Sequence, residues 1–77
     1  MQISIILFGQ LVDITGSNNL TVQHVSDTNT LVQHLHKQFP ALATIKYVIA
    51  VDKKIINKNT ALSHHTTIAL LPPFSGG

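Results

Sequence analysis

Residues 27–40 read Asp27-Thr28-Asn29-Thr30-Leu31-Val32-Gln33-His34-Leu35-His36-Lys37-Gln38-Phe39-Pro40, and this stretch decides the fold. Asp27 is placed to cap a helix, because its carboxylate accepts hydrogen bonds from free amides of the first turn and its charge suits the positive helix end. Leu31, Leu35 and Phe39 follow at a spacing of four, with Val32 beside them, so one apolar stripe is available to pack on a sheet. Pro40 stops the helix, since the residue before a proline is pushed out of the helical region. The stretch predicts one helix of about three turns, at 1.5 Å rise per residue, with a single apolar side.

Strand signals lie on both sides of it. From Met1 to Phe8, Ile3, Ile5 and Leu7 alternate with Gln2, Ser4, Ile6 and Phe8, and the second face turns apolar at its far end. Gly16, Ser17, Asn18 and Asn19 form a turn cluster, and Leu20, Val22 and Val25 then predict a second strand that pairs with the first as an antiparallel hairpin. Beyond Pro40, Lys46 to Val51 predicts a third strand, Lys53 and Lys54 a turn, Ile55 and Ile56 a short fourth strand, and Thr66 to Leu71 the last. Two strands, a helix and two or three strands imply an α+β domain. One helix covers one sheet face and leaves the other open.

The chain has 77 residues, enough for one domain over residues 1–71 and an extended tail over 72–77. A domain of this size buries only roughly 60 to 65% of its unfolded surface, which argues against a large internal active-site cavity. Hydrophobic residues make up 44% and charged residues 10%, apolar enough to fold but short of the usual charge fraction of about 25%. The formal charge of +2 comes from lysines set against Asp13, Asp27 and Asp52, without arginine or tryptophan. That composition argues against nucleic-acid binding, which shows as an Arg/Lys stripe interleaved with aromatics. Cysteine is absent, so there is no disulfide framework, thiolate nucleophile or Cys-based zinc site, and any sulphur chemistry must use another atom. The apolar run from Ile3 to Phe8 lacks a basic leader and is far short of the roughly 20 residues that span a bilayer. A cytoplasmic protein with no membrane association is expected.

After Leu71 the chain continues as Pro72, Pro73, Phe74, Ser75, Gly76 and Gly77. The prolines hold an extended exit from the sheet, while two glycines enter a channel too narrow for other residues. Such an arm presents the Gly77 carboxylate to another protein's active site, and it is expected to be mobile until bound.

The segment Leu70-Leu71-Pro72-Pro73-Phe74-Ser75-Gly76-Gly77 resembles the C-terminus of the MoaD-type small subunits of molybdopterin synthase. The likeness extends over Leu7-Phe8-Gly9-Gln10, Asp13-Ile14-Thr15-Gly16, Leu31 to Leu35 with Pro40, and Ile49-Ala50-Val51. It implies the β-grasp (ubiquitin-like) fold, a mixed sheet of four or five strands with one main helix packed on one face. It further implies a sulphur carrier in molybdenum cofactor biosynthesis that has no complete active site of its own and binds no cofactor. An E1-like partner uses ATP to adenylate Gly77, and a sulphur donor protein converts the acyl-adenylate to a thiocarboxylate. The large synthase subunit, in a hetero-oligomer with two copies of each chain, then delivers that sulphur to a cyclic pterin precursor. Gly77 is the residue that carries AMP and then sulphur, Gly76 its flexible neighbour, and Pro72, Pro73, Phe74 and Ser75 the threaded arm. The chemistry is self-consistent, since a carboxylate becomes an acyl donor only once its oxygen is made a leaving group. The chain departs from many relatives in having Val12 in a loop where they have arginine, and Ser63-His64-His65-Thr66 in place of an acidic, Gly-containing turn.

The rival readings keep the tail and change its acceptor: a carrier serving thiamine, cysteine or tRNA thiolation, or a ubiquitin-like modifier joined to lysines. A binding module with an inert tail is a further alternative. Pro72-Pro73 favours the molybdopterin reading over the thiamine one. Among the remaining residues, His34 and His36 point in different directions and His64 and His65 are adjacent in a turn, so solvated histidines are expected and no metal site. Ser75 has no triad partners, and Lys53-Lys54 reads as a solvated turn, with docking to an acidic partner as the weaker alternative. Ile6 and Phe8 fall on the face opposite Ile3 and Ile5, and they mark either a partner-binding patch or a core position reached by strand twist.

Overall fold

Alternating side chains build β1, Gln2–Leu7, which buries Ile3, Ile5 and Leu7 and turns Gln2, Ser4 and Ile6 outward. The computed structural model describes residues 2–63 and 65–73. β1 pairs antiparallel with β2, Asn19–Gln23, so that Ile3 faces Val22. On its other side it pairs in parallel with the last strand, Thr67–Leu71, which sets Ile5 beside Ile68 and Leu7 beside Leu70. Two strands complete the sheet, β3 at Val48–Val51 and β4 at Lys54–Ile56, with the last strand numbered β5. The order is β2-β1-β5-β3-β4, a mixed five-stranded sheet with the parallel pair inside it.

Two helices accompany the sheet, α1 at Gln10–Thr15 and α2 at Thr28–Gln38. Leu31 and Leu35 of α2 are fully buried in one cluster with Ile3, Ile5, Leu7, Ile68 and Leu70, and Phe39 packs against that cluster. Each such side chain contributes roughly 1.5–3 kcal/mol through burial. The expected α+β arrangement with one main helix on one face is the one observed. Phe39 closes α2 by donating its amide to the Leu35 carbonyl at 2.7 Å, and Pro40–Thr44 continues as a 3-10 turn that buries Leu42.

The start of α2 is tied to the far end of the chain. The Asp27 carboxylate accepts from the Thr30 amide at 2.9 Å, and the Asn59 side-chain carbonyl accepts from the Asn29 amide at 2.9 Å. Buried Thr28 accepts from the Thr60 amide through its hydroxyl, at 2.9 Å. The bonds from the Thr30 and Asn29 amides satisfy first-turn donors that otherwise have no intrahelical partner, and the Thr60 bond ties the loop to the helix start.

Three local departures from the sequence reading have physical causes. α1 was not expected: it is short, with β-branched Val12, Ile14 and Thr15, and such a segment is not stable alone. It exists because Leu11 is fully buried and Val12 and Ile14 pack against the core, so Val12 lies on a helix and not in a loop. The second strand stops at Gln23, because His24 turns left-handed at φ 64°. That kink brings Val25 to the same interior as Val22, which strict alternation forbids. The third strand begins at Val48, two residues later than Lys46. The Asp52-Lys53 turn has positive φ at both residues, 49° and 72°, the signature of a type I′ hairpin. Its carboxylate accepts from the Thr67 amide at 2.9 Å, pinning the turn to β5.

Bonds from Thr30 and then Asn59 hold the Asp27 carboxyl below its ordinary value of 3.8. Stability from this cap is therefore complete above pH 3.8 and lost as pH falls through the lower folded-state value. Thermal melts of Asp27→Ala are expected to lie below the parent at neutral pH, with the gap closing on acidification below that value.

Candidate functional site

Strand register sorts the sheet's side chains into two faces. Ile5 and Leu7 face α2, so Ile6 faces away. Across the strands Ile6 lies beside Ala69, Ala69 beside Ala50, and Ala50 beside Ile55. A second row holds Leu71 and Val48, with Phe8 continuing β1 at the same end. Ile6, Phe8 and Ile55 are 40%, 46% and 54% exposed. Strand twist therefore does not carry Ile6 and Phe8 into the core; they belong to an open apolar face. The face has no acidic side chain among the described residues. Asp13 is on α1, Asp27 caps α2 and Asp52 is held by Thr67.

The tail leaves the sheet at one end of this face. Leu71 ends β5, Pro72 is half-buried and Pro73 exposed. The Phe8 amide donates to the Leu70 carbonyl at 3.1 Å, so the end of β1 and the root of the tail are side by side. Phe74, Ser75, Gly76 and Gly77 lie outside the described residues, as does the mobility expected of them. Lys46 precedes β3 at the tail-exit end. Lys53 and Lys54 sit at the β3–β4 turn, at the opposite end, exposed as expected.

Away from this face there is little chemistry. A hollow of about 680 Å³ runs over the outer side of α2, lined by Thr30, Val32, Gln33, His34, His36 and Lys37, and one of about 170 Å³ lies beside the start of that helix. Neither touches the open face or the tail root. His36 is not a solvated histidine. Its Nε2 is 2.8 Å from the Tyr47 hydroxyl with the rings edge to face, and burial pushes the Tyr47 phenol up. This pair ties the end of α2 to the entry of β3. His64 lies outside the described residues. No group of three or more His or acidic residues that could hold a metal occurs among the described residues, and no helix there is long and apolar enough to cross a membrane.

A family model described as the ThiS family matches residues 5–77. The chain belongs to the ThiS family. Among curated relatives it is 27% identical to a molybdopterin synthase sulfur carrier subunit of Arabidopsis thaliana, covering all of this chain and 84% of that one. It is 30% identical to a subunit of the same name from Caenorhabditis briggsae, covering all of this chain and 99% of that one. Two solved structures share the fold at 21% identity: small archaeal modifier protein 1 of Methanosarcina acetivorans, with TM-score 0.84 over 99% of this chain and 96% of that one, and SAMP1 of Haloferax volcanii, with TM-score 0.80 over the whole of both. These ubiquitin-like neighbours carry the β-grasp fold that the resemblance implied.

Sequence reasoning found two members of the apolar face, Ile6 and Phe8, and missed Val48, Ala69, Leu71 and Ile55. The missing signal is register: only pairing β1 with β5, and β5 with β3, puts those residues in one row. Denaturant titration is expected to separate the faces. Ile55→Lys changes stability by less than about 0.5 kcal/mol, whereas Ile68→Ala costs about 2–5 kcal/mol.

Proposed function

We propose that this chain is the sulphur-donating small subunit of a molybdopterin synthase. The observation that carries the reading is the match of the whole chain to ThiS-family relatives bearing that name, with Pro72-Pro73-Phe74-Ser75-Gly76-Gly77 following directly on β5. The chain supplies an acyl group, a stiff arm and a docking face; catalysis belongs to its partners.

The Gly77 carboxylate attacks the α-phosphate of ATP in an E1-like enzyme and releases pyrophosphate. A persulfide on a donor protein then attacks the acyl-adenylate and displaces AMP, and a thiol cleaves the resulting acyl disulfide, leaving a thiocarboxylate on Gly77 and a disulfide on the donor side. Adenylation comes first because a carboxylate oxygen is otherwise too poor a leaving group. In the large subunit the sulphur passes to a cyclic pterin precursor, and two such transfers build its dithiolene. Gly76, without a side chain, suits a narrow channel in the partner, and Phe74 and Ser75 belong to the arm that threads it. The face centred on Ile6 and Phe8 meets the partner, which hides apolar area that α2 leaves open. A protein modifier uses the same activated glycine with a lysine amine in place of the sulphur nucleophile, so the products distinguish the two.

With ATP, the adenylating enzyme and a sulphur source, the parent is expected to gain mass by exchange of one oxygen for sulphur and to convert the precursor with the large subunit. Deleting Gly77 retracts the reactive carbon by about 3.5 Å. That variant is expected to melt like the parent and transfer no sulphur, since misplacement of 1 Å already costs on the order of a hundredfold. Full transfer by the truncated chain, or isopeptide adducts as the sole product of the parent, would sink the reading. Phe8→Ala is expected to weaken binding to the large subunit by about tenfold or more in calorimetric titration, with an unchanged melt.

A further inference from the structure

Gly9 stands between the open face and the tail. Its φ of 61° and ψ of −137° form a combination that L side chains rarely adopt. A Cβ placed on it would meet Pro72 Cγ at 2.7 Å and Cδ at 3.5 Å. The absent side chain is thus the space in which the first residue of the tail is seated. The Gly9 backbone is itself anchored. Its carbonyl accepts from the Val12 amide at 3.1 Å, and the Phe8 carbonyl accepts from the Leu11 amide at 3.2 Å. Leu11 is fully buried, so α1 fixes the Phe8-Gly9 pair to the core. Gly16, the other glycine with positive φ among the described residues, at 79°, has nothing within 4 Å of the corresponding position.

We infer that Gly9 is a positioning residue for sulphur transfer, seating Pro72 and thereby setting the direction in which the tail leaves the sheet relative to the apolar docking face. The inference rests on the proposed function for its activity and on the Gly9–Pro72 contact for its geometry. Phe8 contacts the partner while Gly9, its neighbour in the chain, aims the arm, so docking and delivery are keyed to one rigid dipeptide. Adding a methyl at Gly9 forces Pro72 outward by about 0.7 Å, from 2.7 Å to the ordinary contact limit of 3.4 Å. Pro72 and Pro73, with φ fixed by their rings, pass that change of direction to the root of the tail. Misplacement on this scale costs rate more than affinity, because the docking face is untouched.

The test compares Gly9→Ala with Gly16→Ala, at another glycine of positive φ but in open space. The αL backbone of Gly16 (φ 79°, ψ 10°) strains an alanine less than the φ 61°, ψ −137° of Gly9. A thermal melt of each variant therefore accounts for lost stability, and the Pro72→Ala background separates backbone strain from the contact with Pro72. Pyrophosphate release by the ATP-dependent adenylating enzyme of the same organism gives kcat and KM, and residual dipolar couplings of the Pro72 and Pro73 Cα–Hα bonds give the direction of the tail root. Gly9→Ala is expected to lower kcat by about tenfold or more with KM within about twofold, and to change the proline couplings. Gly16→Ala is expected to leave kcat within about twofold and the couplings unchanged. In a Pro72→Ala background, where Cγ is gone, the Gly9→Ala loss is expected to shrink to less than about threefold, the non-additivity of groups in contact. Parental kcat in Gly9→Ala, an equal loss in Gly16→Ala, or unchanged proline couplings would overturn the inference. A parent that no adenylating enzyme accepts sinks the proposed function instead, and the couplings then judge the Gly9–Pro72 geometry alone.

Discussion

The parallel pairing of β1 with β5 is the constraint on which the rest of the structure depends. It joins residues from the two ends of the chain, Ile5 with Ile68 and Leu7 with Leu70, and makes them the floor of the core beneath Leu31 and Leu35. A domain this small has one core and little reserve, so the strands that build it have almost no freedom in register. A slip of β5 by one residue against β1 would bring Ala69 under the helix and expose Ile68 and Leu70. The register that buries the core also ends β5 beside Phe8, so the root of the tail is placed by the same pairing that builds the core.

From that pairing the open face follows. One long helix covers one side of the sheet, and α1 and the 3-10 turn bury Leu11 and Leu42 in the same cluster without crossing to the other side. Ile6, Ala69, Ala50 and Ile55 of four strands then form an apolar row, exposed at Ile6 and Ile55 and buried at Ala50, with no acidic group among them. Among the described residues, no group of three or more His or acidic side chains that could hold a metal lies near that row. An apolar surface beside the root of the tail at Pro72 suits the proposed docking to a partner protein.

Polar bonds refine this frame. Asp27, Thr28, Asn59 and Thr60 join the start of α2 to the segment leading to β5, Asp52 joins the β3–β4 turn to Thr67, and His36 joins the end of α2 to Tyr47. Each link connects an element carrying core residues to a loop or strand end that would otherwise be free. No buried side-chain nitrogen or oxygen is left without a partner among the described residues. A lean core tolerates few unpaired polar groups, which is why these loops are bonded and not merely solvated.

Much of this protein was determined by the sequence alone, wherever the signal is local. Helix α2, its Asp27 cap and its Pro40 stop, a sheet of four or five strands and the inward set of β1 all follow from periodicity and from the chemistry of single residues, and the structure settles the count at five. The tail from Pro72 to Gly77 is read from composition and from a family resemblance, and its role stands as a proposal. The tertiary structure decided what depends on distant partners. α1 is too short and too β-branched to form alone, and stands because Leu11 is buried. Val25 reaches the core only through the left-handed turn at His24. Ile55, Ala69, Leu71 and Val48 became one face with Ile6 and Phe8 only when the strands were paired, and the void at Gly9 acquired a meaning only when Pro72, far along the chain, was found within it. Local sequence sets what each segment can be; contacts across the sheet decide which segments meet, since side-chain packing in the core selects a single register.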